Sequence, residues 1–461
     1  MASQEPVDTG DFLASFKAVM DQASRQAPRQ EPVFLRMLRD HFGAEPAKLP
    51  TIKESFENAD HPNVHSAITS LFAGEEWQTE LHGFVVPNEH MGIKFTNLLT
   101  SQHGWETKEG PVQYVNISLH NDSVLTCVQA GLYLIRHENE PLALMVCGPL
   151  NFHPSVDVGV MALEMTKAEK LLGDIRMLMR VHNVYRSHVV SLALENHALD
   201  VQFHHLPAIE RDDIILPQGV LERVERQTIK FSQHREKLKA AGRHIKRGLL
   251  LYGAPGTGKT LTAMYLAKQM PERTVILMTG RAIGLLEKSC RMARLLQPAT
   301  VILEDVDLIA EERTNQQLGC NALLFELLNQ MDGLADDADI LFLLTTNRPD
   351  ILEPALASRP GRIDQAIEIP LPDLDCRRRL FELYGKGLNL RLQHLPELVD
   401  QTEGVSAAFI RELMRKAALF AADESDDMLV EDRHIEEALR ELVFEGGELT
   451  KRLLGATRAF S

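Results

Sequence analysis

Cysteine is scarce in this 461-residue chain, and its spacing excludes as much as its number. The five cysteines (Cys127, Cys147, Cys290, Cys320 and Cys376) are odd in count and form no CxxC pair. A disulfide scaffold and a zinc ribbon are therefore excluded, and a reducing compartment fits. Apolar runs are short: 301–303 and 340–344 are representative, far below the ~20 residues that a membrane span needs. The opening MASQEPVDTG has no basic stretch followed by an apolar one, so no secretory leader is expected and the implied location is cytoplasmic, with no membrane partner. Positive charge is in deficit, with 49 Lys+Arg against 65 Asp+Glu and a net charge of −16. That balance makes nucleic acid an unlikely general partner, although a local basic channel stays open. Internal repeats and low-complexity tracts are missing. What remains, 44% hydrophobic and 25% charged residues, is ordinary for a globular chain of two or three domains.

The two halves differ in texture. Residues 1–60 read as a helical segment: Phe12, Phe16, Val19 and Met20 sit at helical spacing, and Val33, Phe34, Met37 and Leu38 repeat it after Pro32. Residues 61–212 read as an α+β domain. Its β-formers alternate over 113–128, strands at 131–136 and 142–147 flank a hairpin loop at 137–141, and a helix is expected over 167–181. His182, His188, His197, His204 and His205 lack metal-ligand spacing. With no catalytic pattern, this half is the expected site of client or partner binding. Pro207 and Pro217 punctuate a linker, followed by a polar helix over 220–239. Apolar strands at 248–252, 274–278, 299–304, 339–346 and 366–371 then alternate with helical patterns. This predicts a doubly wound parallel sheet over 213–372, with ligands at the C-terminal ends of its strands, and a small helical lid over 373–461.

The first of these strands runs into Gly253, Ala254, Pro255, Gly256, Thr257, Gly258, Lys259 and Thr260, a G-x4-G-K-T phosphate-binding loop opening a helix with Leu261. Its glycines let backbone N–H groups face phosphate, and the helix start adds a positive dipole end. Lys259 is expected to reach the β- and γ-phosphates of ATP, and the Thr260 hydroxyl to ligate Mg²⁺. The third strand ends in Glu304-Asp305-Val306-Asp307. Adjacent carboxylates on an extended strand point to opposite sides, so Glu304 and Asp305 are expected to divide the metal and the attacking water between them. Asn347, at the tip of the fourth strand, could orient that water, and Arg359 and Arg362 flank a stiff Pro-Gly turn, placed to stabilise transferring phosphoryl charge.

Residues 213–445 resemble a single AAA-type ATPase module. The likeness rests on GAPGTGKT (253–260), EDVD (304–307), LLNQMDGL (327–334), TTNRPDILEPAL (345–356) and SRPGRID (358–364). It implies ATP hydrolysis in a ring, usually of six copies, with nucleotide between subunits. It also implies a sensor role for Asn347 and a finger role for Arg359 and Arg362 toward the neighbouring copy. The stretch 402–408 resembles the lid turn near the adenosine, although Ala407 and Phe409 depart from the usual pattern. Glu304-Asp305 inverts the common Asp-Glu order, and the segment 280–288 is short, with no aromatic pore residue around Ile283-Gly284. Both features resemble the mitochondrial AAA ATPase that assembles the Rieske protein. The expectation is an ATP-hydrolysing ring that remodels an unidentified protein client held by residues 1–210. The alternatives are a nucleic-acid-associated motor or loader, and a nucleotide-gated scaffold with slow turnover.

Overall fold

The computed structural model describes residues 31–85, 93–100, 107–150, 153–195, 198–279, 284–307, 322–333, 335, 337–350, 352, 363–424 and 427–445. The chain divides into two compact units, Met1–Val184 with Leu194–Asp200, and Tyr185–Ala193 with Val201–Ser461. The first expected helix, around Phe12–Met20, lies outside the described residues, as do Ile283, Arg359, Arg362 and Cys320.

The first unit is built on an antiparallel sheet of seven strands: β1 (Thr51–Glu57), β2 (Trp77–Val85), β3 (Lys108–Gly110), β4 (Gln113–Ser118), β5 (Val124–His137), β6 (Glu140–Cys147) and β7 (Ser155–Ala162). Their order is β1-β7-β6-β5-β2-β3, with β4 also on β5. Helix α1 (Val33–Phe42) packs Phe34, Leu38 and Phe42 with Leu132, Ala143 and Met145. Helices α2 (His61–Phe72) and α3 (Met165–Val181) pack with Ile135, Leu142, Leu144 and Val146. Successive residues of β6 thus enter opposite cores, which is why this antiparallel strand reads as an unbroken apolar run. Each fully buried Leu among them contributes about 1.5–3 kcal/mol. The β5–β6 hairpin closes through Glu138 and Asn139, both at positive φ (52° and 66°), matching the right-handed strand twist. Residues 51–57, read from sequence as part of a helical segment, instead pair with β7. Their alternation in Thr51–Glu57 is too polar to stand out beside the helical patches before it.

A second seven-stranded sheet, whose core strands belong to the second unit, comprises β8 (Val189–Glu195), β9 (Ala198–Phe203), β10 (Arg247–Tyr252), β11 (Thr274–Met278), β12 (Ala299–Leu303), β13 (Ile340–Thr346) and β14 (Gln365–Glu368). The order is β14-β10-β13-β12-β11-β8-β9, and β14 through β8 pair in parallel. Every residue of β12 and β13 is buried, as expected where both faces are covered. Helix α4 (Lys259–Lys268) follows β10, α5 (Leu286–Leu295) follows β11, and α6 (Ala322–Asp332) precedes β13. The lid comprises α7 (Leu374–Tyr384), α8 (Leu395–Gln401), α9 (Ala407–Glu424) and α10 (Asp432–Arg440), with a small ribbon of β15 (Asn389–Arg391) and β16 (Leu429–Glu431). Asp373 caps α7 by accepting from the Cys376 N–H at 2.8 Å. The expected helix over 220–239 is not uniform: a π-turn over Arg226–Lys230 interrupts it, and His234 breaks it before Arg235–Ala240. The Thr228 hydroxyl, donating to the Val224 carbonyl at 2.8 Å, competes with the backbone ladder at that point.

Candidate functional site

The tips of β10, β13 and β12 lie side by side, so the loops that follow them meet at one edge of the sheet. After Tyr252 the chain turns through Gly253 at φ 153°, where an added Cβ would sit 2.2 Å from the Ile369 carbonyl. Gly256, at φ 74°, leaves room for the lid: a Cβ there would lie 2.7 Å from Ser406 Oγ and 2.8 Å from Ala408 Cβ. The Ala408 N–H donates to the Gly256 carbonyl at 3.1 Å, so the lid turn touches the loop directly. Thr257 Oγ1 donates to the Ala254 carbonyl at 3.0 Å and stiffens the turn.

Lys259 begins α4 and is buried, 6% exposed. Its Nζ donates to the Gly253 carbonyl at 3.0 Å and the Ala254 carbonyl at 2.9 Å. Burial pushes its pKa down, while Asp305 and Asp307 oppose that shift. A cation held only by two loop carbonyls can exchange them for phosphate oxygens, a stronger charge-assisted pair.

Strand β12 ends at Leu303, and the Glu304 N–H still donates to the Met278 carbonyl at 3.0 Å. The next residue departs from the strand: Asp305 has φ 48°, and its N–H is taken by Thr345 Oγ1 at 3.1 Å. The two carboxylates therefore separate because the backbone turns left-handed at Asp305, and not through strand alternation as the sequence suggested. Glu304 lies close enough to Thr260 for the hydroxyl to favour its ionised form. Its Oε1 is buried with no hydrogen-bond partner among the described residues. Burial pushes the Glu304 carboxyl up, the nearby Thr260 hydroxyl opposes this, and Asp305 adds repulsion. An unmatched buried carboxylate oxygen is costly. Beside a threonine hydroxyl and a phosphate loop, it fits the sparse oxygen set of Mg²⁺, which keeps most of its ligands as water and phosphate.

Asp305 Oδ1 accepts from Asn347 Nδ2 at 3.1 Å, so the residues expected to handle the water are in contact. Asp307 has a different task. Buried at 4% exposure, it accepts from Thr346 Oγ1 at 2.8 Å and the Asn347 N–H at 3.2 Å. It thereby fixes the tip of β13 that carries Asn347. Asp305, Asn347, Lys259, Thr260 and Leu261 line a cleft of about 360 Å³, whereas Glu304 and Asp307 lie behind its wall. Its other wall comes from Asp213, Ile214, Ile215 and Leu216, from Leu380 and Tyr384 on α7, and from Ala407, Ala408 and Arg411 on α9. The sequence reading placed only Ala407 and Ala408 of this second set near a nucleotide. Phe409 is a buried lid-core residue and does not line the cleft. The signal available for the rest was the apolar triplet Ile214-Ile215-Leu216 inside a proline-punctuated linker.

Among the described residues, no helix is long and apolar enough to cross a membrane. Residues 249–371 match the family described as ATPases associated with various cellular activities (AAA), a family that implies nucleotide binding. The proteasome-activating nucleotidase of Thermococcus onnurineus is 33% identical over 213 residues, 43% of this chain and 53% of that protein. Its counterpart in Thermococcus gammatolerans is 35% identical over 202 residues, 41% and 50% of the two chains. The 26S proteasome regulatory subunit 6B homolog of Dictyostelium discoideum is 34% identical over 201 residues, again 41% and 50%. The chain thus matches about half the length of these curated relatives. The likeness to the Rieske-assembly ATPase rests on the Glu304-Asp305 order and the short 280–288 segment alone.

Proposed function

The chain carries an AAA module, and from that premise we propose that it hydrolyses ATP as a ring and remodels a protein client selected by residues 1–210. The single observation that carries the ATPase reading is Glu304: a half-buried carboxylate whose buried Oε1 is unmatched, close to Thr260 of a phosphate loop that also holds a buried lysine.

Lys259 leaves its two loop carbonyls for the β- and γ-phosphates, and the N–H groups of 253–261 cradle the chain of phosphates. Thr260 and Glu304 would hold Mg²⁺, which neutralises charge on the β- and γ-phosphates when bound. Asp305, steadied by Asn347 Nδ2, orients the attacking water and accepts its proton. Asp307 keeps Asn347 in place through its backbone N–H. Arg359 and Arg362 belong to this reading as guanidinium donors to the site of a neighbouring copy. In a ring each copy then completes the next, so turnover depends on assembly.

Titrating ATP into the full chain, with Lys259→Ala and Asp305→Asn beside it, tests the reading. Lys259→Ala should lose ATP affinity, whereas Asp305→Asn should bind ATP and stall. Mixing Lys259→Ala with Arg359→Ala subunits should restore turnover if the arginine acts on the neighbour. Unchanged ATP binding by Lys259→Ala removes the phosphate-loop assignment. Capture of a protein client by stalled Asp305→Asn supports remodelling, and stimulation of turnover by DNA instead favours the motor alternative.

A further inference from the structure

The phosphate end of the cleft is legible as a motif; the opposite end is held in place by a network that no motif announces. Its wall is the strap 213–216. Ile214 and Leu216 bury in the core of the sheet, while Ile215 buries in the core of the lid. The strap thus stitches both walls of the cleft, and its position sets the width of that end.

The turn leading into the strap is tied to the helix of the phosphate loop. Arg211 grips Glu225 with two bonds, Nε to Oε1 at 2.9 Å and Nη2 to Oε2 at 3.2 Å, and reaches Glu222 at 3.0 Å. Tyr265 Oη donates to the same Glu225 Oε1 at 2.7 Å. Tyr265 lies on α4, whose first residue is Lys259. Lys268, at the far end of α4, donates to Glu210 Oε1 at 2.9 Å and the Ile209 carbonyl at 3.3 Å. One helix therefore carries the phosphate loop at its start and the strap's anchors along its length. The arms differ in weight. Arg211 and Glu222 are half-exposed, so their pair is screened by water. Glu225 is 14% exposed by side chain and Tyr265 only 3%, so their bond is shielded.

We propose that Arg211, Glu225 and Tyr265 are positioning residues that fix the strap as the base end of the cleft. They set affinity for the base and ribose of the nucleotide, not for its phosphates. This rests on the nucleotide reading of the cleft given above.

The test compares Tyr265→Phe, Arg211→Gln and Arg211→Lys with wild type in the full chain, using ATP, ADP and inorganic tripolyphosphate as competing probes. Tyr265→Phe should weaken ATP and ADP equally, by about tenfold, the weight of one hydrogen bond to a charged group. Tripolyphosphate affinity should stay as in wild type. In turnover the loss should fall on KM and leave kcat in place. Arg211→Lys should recover part of what Arg211→Gln loses. Arg211→Gln alters an exposed side chain and gives the same readout should Tyr265→Phe fail to fold. Equal weakening of tripolyphosphate, a loss confined to kcat, or unchanged ATP and ADP affinity in both variants overturns the proposal. A wild-type chain that binds none of the three probes removes the nucleotide reading itself.

Discussion

Each unit of the molecule contains a carboxylate with a buried oxygen near the end of a strand, and the two are treated in opposite ways. Asp157, on β7 of the first unit, is fully buried and saturated with donors. Lys53 Nζ lies at 2.7 Å, Ser55 Oγ donates at 2.6 Å, and His153 Nε2 sits at 2.8 Å. Burial alone would raise its pKa, but the bonds from Lys53, Ser55 and His153 together hold it below the usual carboxylate range. Glu304, just past β12 of the second unit, is half-buried, with one unmatched buried oxygen and a pKa pushed up by burial. A satisfied buried charge holds a fold together. An unsatisfied one stores a cost that a bound cation can relieve.

The comparison predicts that variants at the two places separate function from stability. The largest effect should come from Asp305→Asn, next to Glu304. Steady-state phosphate release should fall by about 10²–10⁴, the usual weight of a general base, with ATP affinity little changed. Lys259→Ala should follow, with ATP affinity reduced by about 10²-fold, as expected for two lost bonds to charged oxygen, read by calorimetry. Glu304→Gln should raise the Mg²⁺ concentration needed for half-maximal turnover by about 10–100-fold. Its melting temperature should hold or rise, because an unmatched buried oxygen no longer carries charge. Asp157→Asn should behave in the reverse sense. It should cost the first unit about 1–3 kcal/mol in denaturant unfolding and leave turnover as it was. If Glu304→Gln unfolds the protein or Asp157→Asn abolishes turnover, the contrast between the two carboxylates fails.

The smallest effect is on pH. A carboxyl held low in the folded unit binds fewer protons there than in the unfolded chain, so its stabilisation is complete above the unfolded value near ~4. That stabilisation is lost as pH falls through the lower folded value. Hydrogen exchange of β7 amides in the full chain should therefore show a wild-type advantage over Asp157→Asn that shrinks with acidification. An advantage that grows with acid contradicts the assignment.

Much of the second unit was readable because its signals are local. The loop 253–260 is one contiguous stretch, and Glu304, Asp305 and Asn347 each follow an apolar strand that announces its own end. The second wall of the cleft was not readable. Ile214, Tyr384 and Arg411 come from three distant segments, and only packing brings them together. The turn at Asp305 was also hidden, because Thr345, 40 positions later, supplies the hydroxyl that stabilises it. In the first unit the β5–β6 hairpin was legible from its flanking apolar runs, whereas β1 was not, since its burial depends on pairing with β7 more than 90 residues away in the chain.

The account stands or falls on phosphate release from ATP by the full chain, measured across a range of protein concentrations with and without Mg²⁺, for wild type and Lys259→Ala. It predicts Mg²⁺-dependent turnover in the wild type that rises per subunit as copies assemble, and none in Lys259→Ala. Turnover in wild type and Lys259→Ala alike, or no ATP binding and no hydrolysis by the wild type at any concentration, would contradict it.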